Sequence, residues 1–199
     1  MKLQTIPMEV IKSIKNSFGT HELDIQHLKS ILPKVRFEMG ADIEDNKERL
    51  NQVMERSEQI FELAFRDSKK IWIFLEFFSD RIKNPDIPLE FKNLINCGYK
   101  VKENDIHQLQ VAETDEKNYY RYIYAIQKEK KFRTIESILY AIAGAEIGIR
   151  PTAFLRSYFI DFDKEILFHL YDDRGLDIAS KDKNIIRKVS EKYKKWISG

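Results

Sequence analysis

The segment IWIFLEFF, residues 71–78, constrains the fold of this chain more than any other stretch. Its apolar residues occupy both alternation phases, since Ile71 and Ile73 fall on one face of an extended chain while Trp72 and Phe74 fall on the other. A strand with this pattern is covered on both of its faces. The sequence therefore predicts a central strand of a sheet, with other elements packed above and below it.

Three segments place apolar residues three and four positions apart, which is the spacing of amphipathic helices. The clearest one runs from about Asp45 to Arg66. A second begins at Thr134, which we expect to cap its helix, and the last runs from about Asp182 to Ile197. Because each helix has one apolar face, we expect all three to pack against the sheet.

The C-terminal part predicts a β-meander, that is, consecutive antiparallel strands joined by short turns. Strands are expected over Arg156–Asp161, Glu165–Tyr171 and Leu176–Ala179, and NYYRYIYAIQ, residues 118–127, predicts a further strand. Strands and helices thus mix without strict βαβ alternation. This favours an α+β fold with a largely antiparallel sheet, helices packed on it, and a C-terminal β-meander followed by a helix.

The N-terminal region predicts helices rather than strands. Met8–Phe18 has the spacing of a short amphipathic helix, and Leu23–Leu32 predicts a second one, closed by Pro33. We therefore assign residues 1–33 to an N-terminal helical segment packed on the main domain. Residues 34–199 are assigned to a single α+β domain.

Composition limits the environment and the partners of the chain. Of its 199 residues, 43% are hydrophobic and 33% are charged, which is typical of a folded protein. The formal net charge of +2 gives no large field, so we expect neither nucleic acid nor a membrane as a partner. Cys97 is the only cysteine, and the N-terminus lacks the apolar run of a signal peptide. We therefore expect a cytoplasmic protein.

The stretch DDRG, residues 172–175, predicts a hairpin turn. Asp is favoured at the first position of such a turn because its side chain accepts a backbone N–H, and glycine is favoured where the chain becomes left-handed. Asp172 and Gly175 match these positions, with Gly175 expected at positive φ in a bulge. Asp173 and Arg174 are then expected on an exposed loop tip.

Two alternatives assign chemistry to these regions. Asp172 and Asp173 with His169 offer ligands for a metal ion, to which the neighbouring hairpin turn would have to add Asp161 and Asp163. Consecutive turns of a meander lie at opposite ends of its strands, so the sequence favours a structural turn. We expect no catalytic residue, no metal ligand and no cofactor.

Tyrosines define the second alternative. Tyr120, Tyr122 and Tyr124 share one face of a predicted strand, and single-stranded RNA stacks on such platforms. The interpretation that we favour is a half-buried sheet face packed on a helix.

Residues 158–197 resemble the C-terminal domain of a family of Gram-positive bacterial proteins known only as a domain of unknown function. That family is marked by a YDDRGxD signature. Its counterparts in this chain are Tyr171, Asp172, Asp173, Arg174, Gly175 and Asp177. The resemblance implies a binding or motif loop but supplies no activity.

The hypothesis that follows is a non-enzymatic protein-interaction module of a bacterial cytoplasm, of which an immunity-type protein is one form. The partner is expected to be a protein, while its identity and the oligomeric state stay open. A metal-dependent hydrolase that uses Asp172 and Asp173, and an RNA-binding protein that uses the tyrosine face, remain the alternatives.

Overall fold

The computed structural model describes residues 4–5, 8–18, 32–40, 42–79, 89–100, 107–113 and 120–198. Within these residues the strands are β1 (Gln4–Thr5), β2 (Lys34–Glu38), β3 (Lys70–Ser79), β4 (His107–Glu113), β5 (Tyr120–Glu129), β6 (Arg156–Asp161), β7 (Ile166–Leu170) and β8 (Gly175–Ser180). The α-helices are α1 (Met8–Phe18), α2 (Asn46–Ala64), α3 (Leu89–Asn96), α4 (Phe132–Ile147) and α5 (Lys183–Lys192).

The eight strands of the described residues form one sheet in the order β1-β4-β5-β3-β6-β7-β8-β2. Strand β1 is parallel to β4, and every other neighbouring pair is antiparallel. Strands β6, β7 and β8 form the predicted meander, and α5 follows it. The predicted α+β fold is therefore confirmed.

Strand β3 lies between β5 and β6, and both of its faces are covered as predicted. Ile71, Ile73 and Leu75 belong to the main core, whereas Phe74 belongs to a second apolar cluster on the opposite face. Burial of each such side chain contributes about 1.5–3 kcal/mol to stability. Successive side chains of this strand thus point to opposite faces of the sheet and contribute to two separate layers of core.

Helix α2 provides the aromatic centre of the main core. The ring of Phe61 lies 4.8 Å from that of Phe65, the residue directly after the helix, and packs edge-on against Phe168 of β7 at 5.8 Å. The helix begins where the Asp45 carboxylate accepts hydrogen bonds from the backbone N–H groups of Lys47 and Glu48. Offset and edge-to-face aromatic pairs of this kind add to the free energy of simple burial.

Helix α4 starts earlier than predicted, so the prediction that Thr134 caps it was wrong. The cap position is Lys131, whose side chain makes no capping hydrogen bond, and the first helical residue is Phe132. Phe132 is buried, with its ring 6.0 Å from that of Phe61. Burial of this ring fixes the helix start, which capping preferences alone do not reveal. The helix ends at Gly148, whose φ of 74° is left-handed.

The second apolar cluster brings α1 to the other face of the sheet. Val10 and Ile14 are buried there together with Phe74, Ile160 and Leu167. The helix predicted over residues 8–18 is thus confirmed. The helix predicted over 23–32 lies almost entirely outside the described residues, and the domain boundary at residue 33 stays a prediction.

The C-terminal region docks on the main core, but as two elements. Helix α5 ends at Lys192, and a 3-10 turn follows at Lys194–Trp196, whereas a single helix to Ile197 was predicted. The chain breaks here because Ile197 turns back to bridge with Phe37 of β2. The Tyr193 ring stacks on Trp196 at 4.6 Å, and its hydroxyl donates to the Gln59 carbonyl oxygen at 2.9 Å.

Candidate functional site

The turn between β7 and β8 contains the predicted motif loop. The Asp172 carboxylate oxygen Oδ1 accepts hydrogen bonds from the backbone N–H groups of Arg174 at 2.8 Å and of Gly175 at 3.2 Å. Its other oxygen, Oδ2, accepts from the Arg174 guanidinium at 2.6 and 3.0 Å. The predicted role of Asp172 as the turn-forming side chain is confirmed.

Asp173 does not lie on an exposed tip, and that prediction was wrong. The residue is only 2% exposed, and its Oδ2 lies 2.5 Å from Nε of Arg49, on the first turns of α2. The adjacent backbone is held as well, because Met39 N–H donates to the Arg174 carbonyl oxygen at 2.9 Å. A buried carboxylate requires a partner of opposite charge, and α2 supplies it. The loop is therefore an anchor between the meander and the helix.

Gly175 is not in the left-handed region, so the predicted positive φ and bulge were also wrong. It begins β8 in regular pairing with Glu38 of β2. A Cβ at this position would lie 2.7 Å from Cε2 of Tyr171 and 3.1 Å from Nη2 of Arg36. Glycine is required here because the tyrosine ring and the guanidinium approach the backbone closely, not because of backbone conformation.

Tyr171 and Asp177 begin a band of polar side chains on the face of the sheet that also carries the second apolar cluster. The Tyr171 hydroxyl is hydrogen-bonded to the buried Asp177 carboxylate, and Arg36 lies over the tyrosine ring at 5.1 Å. Burial raises the pKa of Tyr171 most, followed by this hydrogen bond and the negative charge of Asp177. His169 is directly opposite Asp177 in register, with Nδ1 at 2.8 Å from the Ser157 carbonyl oxygen.

The band continues across the sheet to Glu76 of β3. The Tyr158 ring stacks on His169 at 4.4 Å, and its hydroxyl lies 3.4 Å from Oε2 of Glu76. Arg121 Nε donates to Oε1 of Glu76 at 2.5 Å, and Nη1 of Arg156 lies 3.8 Å from the same oxygen. Each buried carboxylate of the band thus has a hydrogen-bond partner, as burial of charge requires.

A cleft of about 220 Å³ opens where β3 ends and β6 begins, and we call it the aromatic cleft. Its lining comes from β3, α4, the segment before β6, and the motif: Glu76, Phe78, Ile142, Ala145, Glu146, Ala153, Phe154, Leu155, Arg156 and Tyr171. Phe154 is 64% exposed and Phe78 is 43% exposed. Of the three large apolar side chains that the described residues leave exposed, these two line the cleft.

A larger groove of about 810 Å³ lies at the opposite end of the sheet, beside the turn between β6 and β7. Its charged lining is Lys69, Lys70, Lys164, Asp67, Asp161 and Asp163. Equal numbers of positive and negative side chains give this groove no net charge with which to select a ligand. We place the candidate site at the smaller, aromatic cleft because two of the three exposed large apolar side chains of the described residues line it.

The aspartates of the two turns do not converge. Asp161 closes the turn at the far end of the meander, where its Oδ1 accepts from the Lys164 backbone N–H at 3.0 Å. Throughout the part of the chain that the structure describes, no group of three or more His, Cys, Asp or Glu side chains is placed to hold a metal ion. Over the same residues, no helix is long and apolar enough to cross a membrane.

The predicted tyrosine face is part of the main core. Tyr122 and Tyr124 are buried and stack on Phe77 at 5.8 and 5.2 Å, while the side chain of Tyr120 lies outside the described residues. Burial, with a smaller contribution from Tyr122, raises the pKa of Tyr124 to about 12. These two rings are not accessible for base stacking, and the interpretation as a buried sheet face holds for them.

Sequence reasoning missed the residues that form the cleft mouth: Phe78, Phe154 and Arg156. Phe78 belongs to the apolar run of β3, and nothing in that run separates its exposed end from its buried centre. Phe154 follows α4 in a segment without periodicity. The one available signal was the position of Phe154 between a helix and a strand, in a segment that forms no regular apolar face of its own.

The fold and the cleft together define an α+β protein with a surface site built from aromatic and arginine side chains. The chain belongs to the family described as "Domain of unknown function (DUF3885)", which matches residues 11–199. It is similar to "Uncharacterized protein YnaE" of Bacillus subtilis (strain 168), with 22% identity over 211 residues that cover 96% of this chain and 91% of that protein. No solved structure matches the chain. The predicted bacterial family is confirmed, and the YDDRGxD signature stays a prediction.

Proposed function

We propose that this protein is a non-enzymatic protein-interaction module of the bacterial cytoplasm, and that it binds its partner at the aromatic cleft. The observation that carries the proposal is the exposure of Phe154 and Phe78 beside a cleft, with Arg156 held over the Phe78 ring at 5.4 Å. Exposed apolar patches rimmed by charge mark interaction sites, and aromatic residues and arginine dominate binding energy at such sites.

The motif has a supporting part in this proposal. Tyr171 is the motif residue that lines the cleft, and its hydroxyl is fixed by Asp177. Asp173 anchors this hairpin to α2, and Gly175 leaves room for the Tyr171 ring. An immunity-type protein, which neutralises a toxin by binding it, is the form of this function that we propose first, by analogy with other small bacterial proteins.

The contacts give less support to the two alternatives. Both carboxylates of the proposed metal site are already engaged, Asp172 by its own turn and by Arg174, and Asp173 by Arg49. RNA binding through the tyrosines requires exposed rings, whereas Tyr122 and Tyr124 are buried. At the aromatic cleft, in contrast, the rings of Phe154 and Phe78 are already exposed, so a partner can reach them without a rearrangement of the protein.

Site-specific photo-crosslinking in the native bacterial host tests the proposal. A benzophenone amino acid is introduced at Phe154, or at Asp163 as the control, which is also exposed but lies in the turn at the other end of the sheet. We expect a discrete protein adduct from position 154 that is absent from position 163 and is weakened by Arg156→Ala. Equal labelling from both positions, or no adduct from either, would count against an interaction site at the cleft.

A further inference from the structure

The charges around Glu76 are unbalanced in a way that points to the chemistry of the partner. Glu76 is buried and supplies one negative charge, whereas Arg121 and Arg156 supply two positive charges. Arg121 donates a hydrogen bond to the Glu76 carboxylate. The Arg156 guanidinium lies farther from this carboxylate, at 3.8 Å, and 46% of the Arg156 side chain is exposed. These three side chains therefore sum to a charge of +1, and the group of theirs that a partner can reach is the exposed guanidinium of Arg156.

Arg156 is also held in place. Its guanidinium lies over the Phe78 ring at 5.4 Å, within the range of a cation–π contact. An arginine that is fixed before binding loses less conformational entropy when it pairs with a carboxylate, and its planar fork suits two parallel hydrogen bonds. The cleft mouth thus combines a fixed positive charge with the exposed ring of Phe154.

The size of the cleft limits what enters it. Pockets for small-molecule ligands and cofactors usually have volumes of roughly 300–1,000 Å³. The aromatic cleft, at about 220 Å³, is smaller, which suits an inserted side chain. Glu76 and Glu146 also line the cleft, so an acidic group of the partner fits at Arg156, at the mouth, and not inside the cleft. A doubly charged phosphate would meet more repulsion from these two carboxylates than a single carboxylate would.

We infer that the partner presents an aspartate or glutamate next to a large apolar side chain. Its carboxylate pairs with Arg156, and its apolar side chain enters the cleft beside Phe154. The inference rests on the proposed function, since it specifies the partner of the same site. Arg156 then sets specificity, and Phe154 contributes the apolar contact.

A peptide selection tests this chemistry without requiring the partner itself. A phage-displayed random dodecapeptide library is selected against the wild-type protein and against Arg156→Glu. We expect wild-type protein to enrich peptides with Asp or Glu within two positions of an aromatic or leucine residue. The charge-reversed variant should enrich Lys or Arg at that place instead.

Affinities of the selected peptides complete the test. Arg156→Glu should raise Kd by about tenfold or more, whereas Lys164→Glu, the same charge change on an exposed residue of the remote turn, should leave Kd within about twofold. Circular dichroism verifies that both variants are folded.

The outcomes separate this inference from the proposed function. Peptides that lose binding in Phe154→Ala but carry no acidic residue would overturn the inference and leave the cleft as an interaction site. Peptides that bind Phe154→Ala as tightly as wild type, or a selection that enriches none, would overturn both.

Discussion

The motif hairpin and the aromatic cleft share Tyr171, yet they differ in what they expose to solvent. In the hairpin, charged groups are buried, as Asp173 and Asp177 illustrate. At the cleft, Phe154 and Phe78 are exposed. Transfer free energies from water favour the opposite in both regions, because they favour exposed charges and buried rings.

The difference indicates which task each region performs. A buried carboxylate persists only with a partner, and Asp173 and Asp177 each have one, so their removal should lower stability. An exposed ring contributes little to folding, so its removal should spare stability and affect association instead. We therefore assign the stability of this end of the sheet to the motif, and we propose the cleft as the place where a partner binds.

The largest effect is expected for Asp173→Ala, which leaves Arg49 without its counter-ion. Breaking a buried ion pair typically costs about 3 kcal/mol or more. We expect a loss of about 3 kcal/mol in the free energy of unfolding, measured by urea denaturation. The matched control is Asp163→Ala in the other turn of the same meander, which is exposed and should change stability by no more than about 0.5 kcal/mol. Equal costs for the two variants would refute the anchor.

Alkaline pH should reveal the buried tyrosines of the sheet. The folded-state pKa of Tyr124 is about 12, whereas the unfolded value is about 10. The unfolded state therefore loses this proton first, so the contribution of Tyr124 to stability is constant below pH 10 and falls by about 1.4 kcal/mol per pH unit from pH 10 to pH 12. In Tyr124→Phe this part of the fall should be absent. Parallel curves for variant and wild type would show that Tyr124 is not buried as described.

Gly175→Ala should cost about 2 kcal/mol, because its Cβ meets the Tyr171 ring. In a Tyr171→Ala background the same change should cost much less, since the obstructing ring is gone and only the Arg36 guanidinium, at the end of a flexible side chain, remains close. Gly148→Ala is the comparison, as Gly148 has positive φ and open space around it, and it should cost about 1 kcal/mol in either background. A Gly175 penalty that persists without the ring would indicate backbone strain after all.

The smallest effects concern the turn itself. Asp172→Ala removes a side chain that accepts two backbone hydrogen bonds, and by analogy with helix caps it should cost about 1 kcal/mol. Arg174→Ala, on the exposed surface, should cost less than about 0.5 kcal/mol. Thermal unfolding of both variants checks the ranking, and a larger loss from Arg174 would mean that its guanidinium, not the Asp172 carboxylate, holds the turn.

Local patterns were sufficient to predict the fold class and part of the motif. Alternation placed β3 at the centre of the sheet, and residue preferences identified Asp172 as the turn former. The position of Asp173 depended on Arg49, which is remote in sequence and meets the loop only when α2 packs beside it. Gly175 fits both a left-handed turn and a close ring contact, and local sequence does not separate them. The cleft was missed because exposure of Phe154 is a property of the assembled surface.

The most direct test of the division between motif and cleft is a titration of ¹⁵N-labelled protein with a peptide from the selection described above, followed by amide chemical shifts. We expect the largest changes at the residues that line the cleft, at Phe78, Ala145 and Phe154–Arg156, and a smaller change at Tyr171. The amides of Arg49 and Asp173 should move no more than those of the remote turn at Asp163 and Lys164. Changes centred on Asp173 and Arg174, with the cleft unaffected, would contradict the account and make the motif loop the binding site.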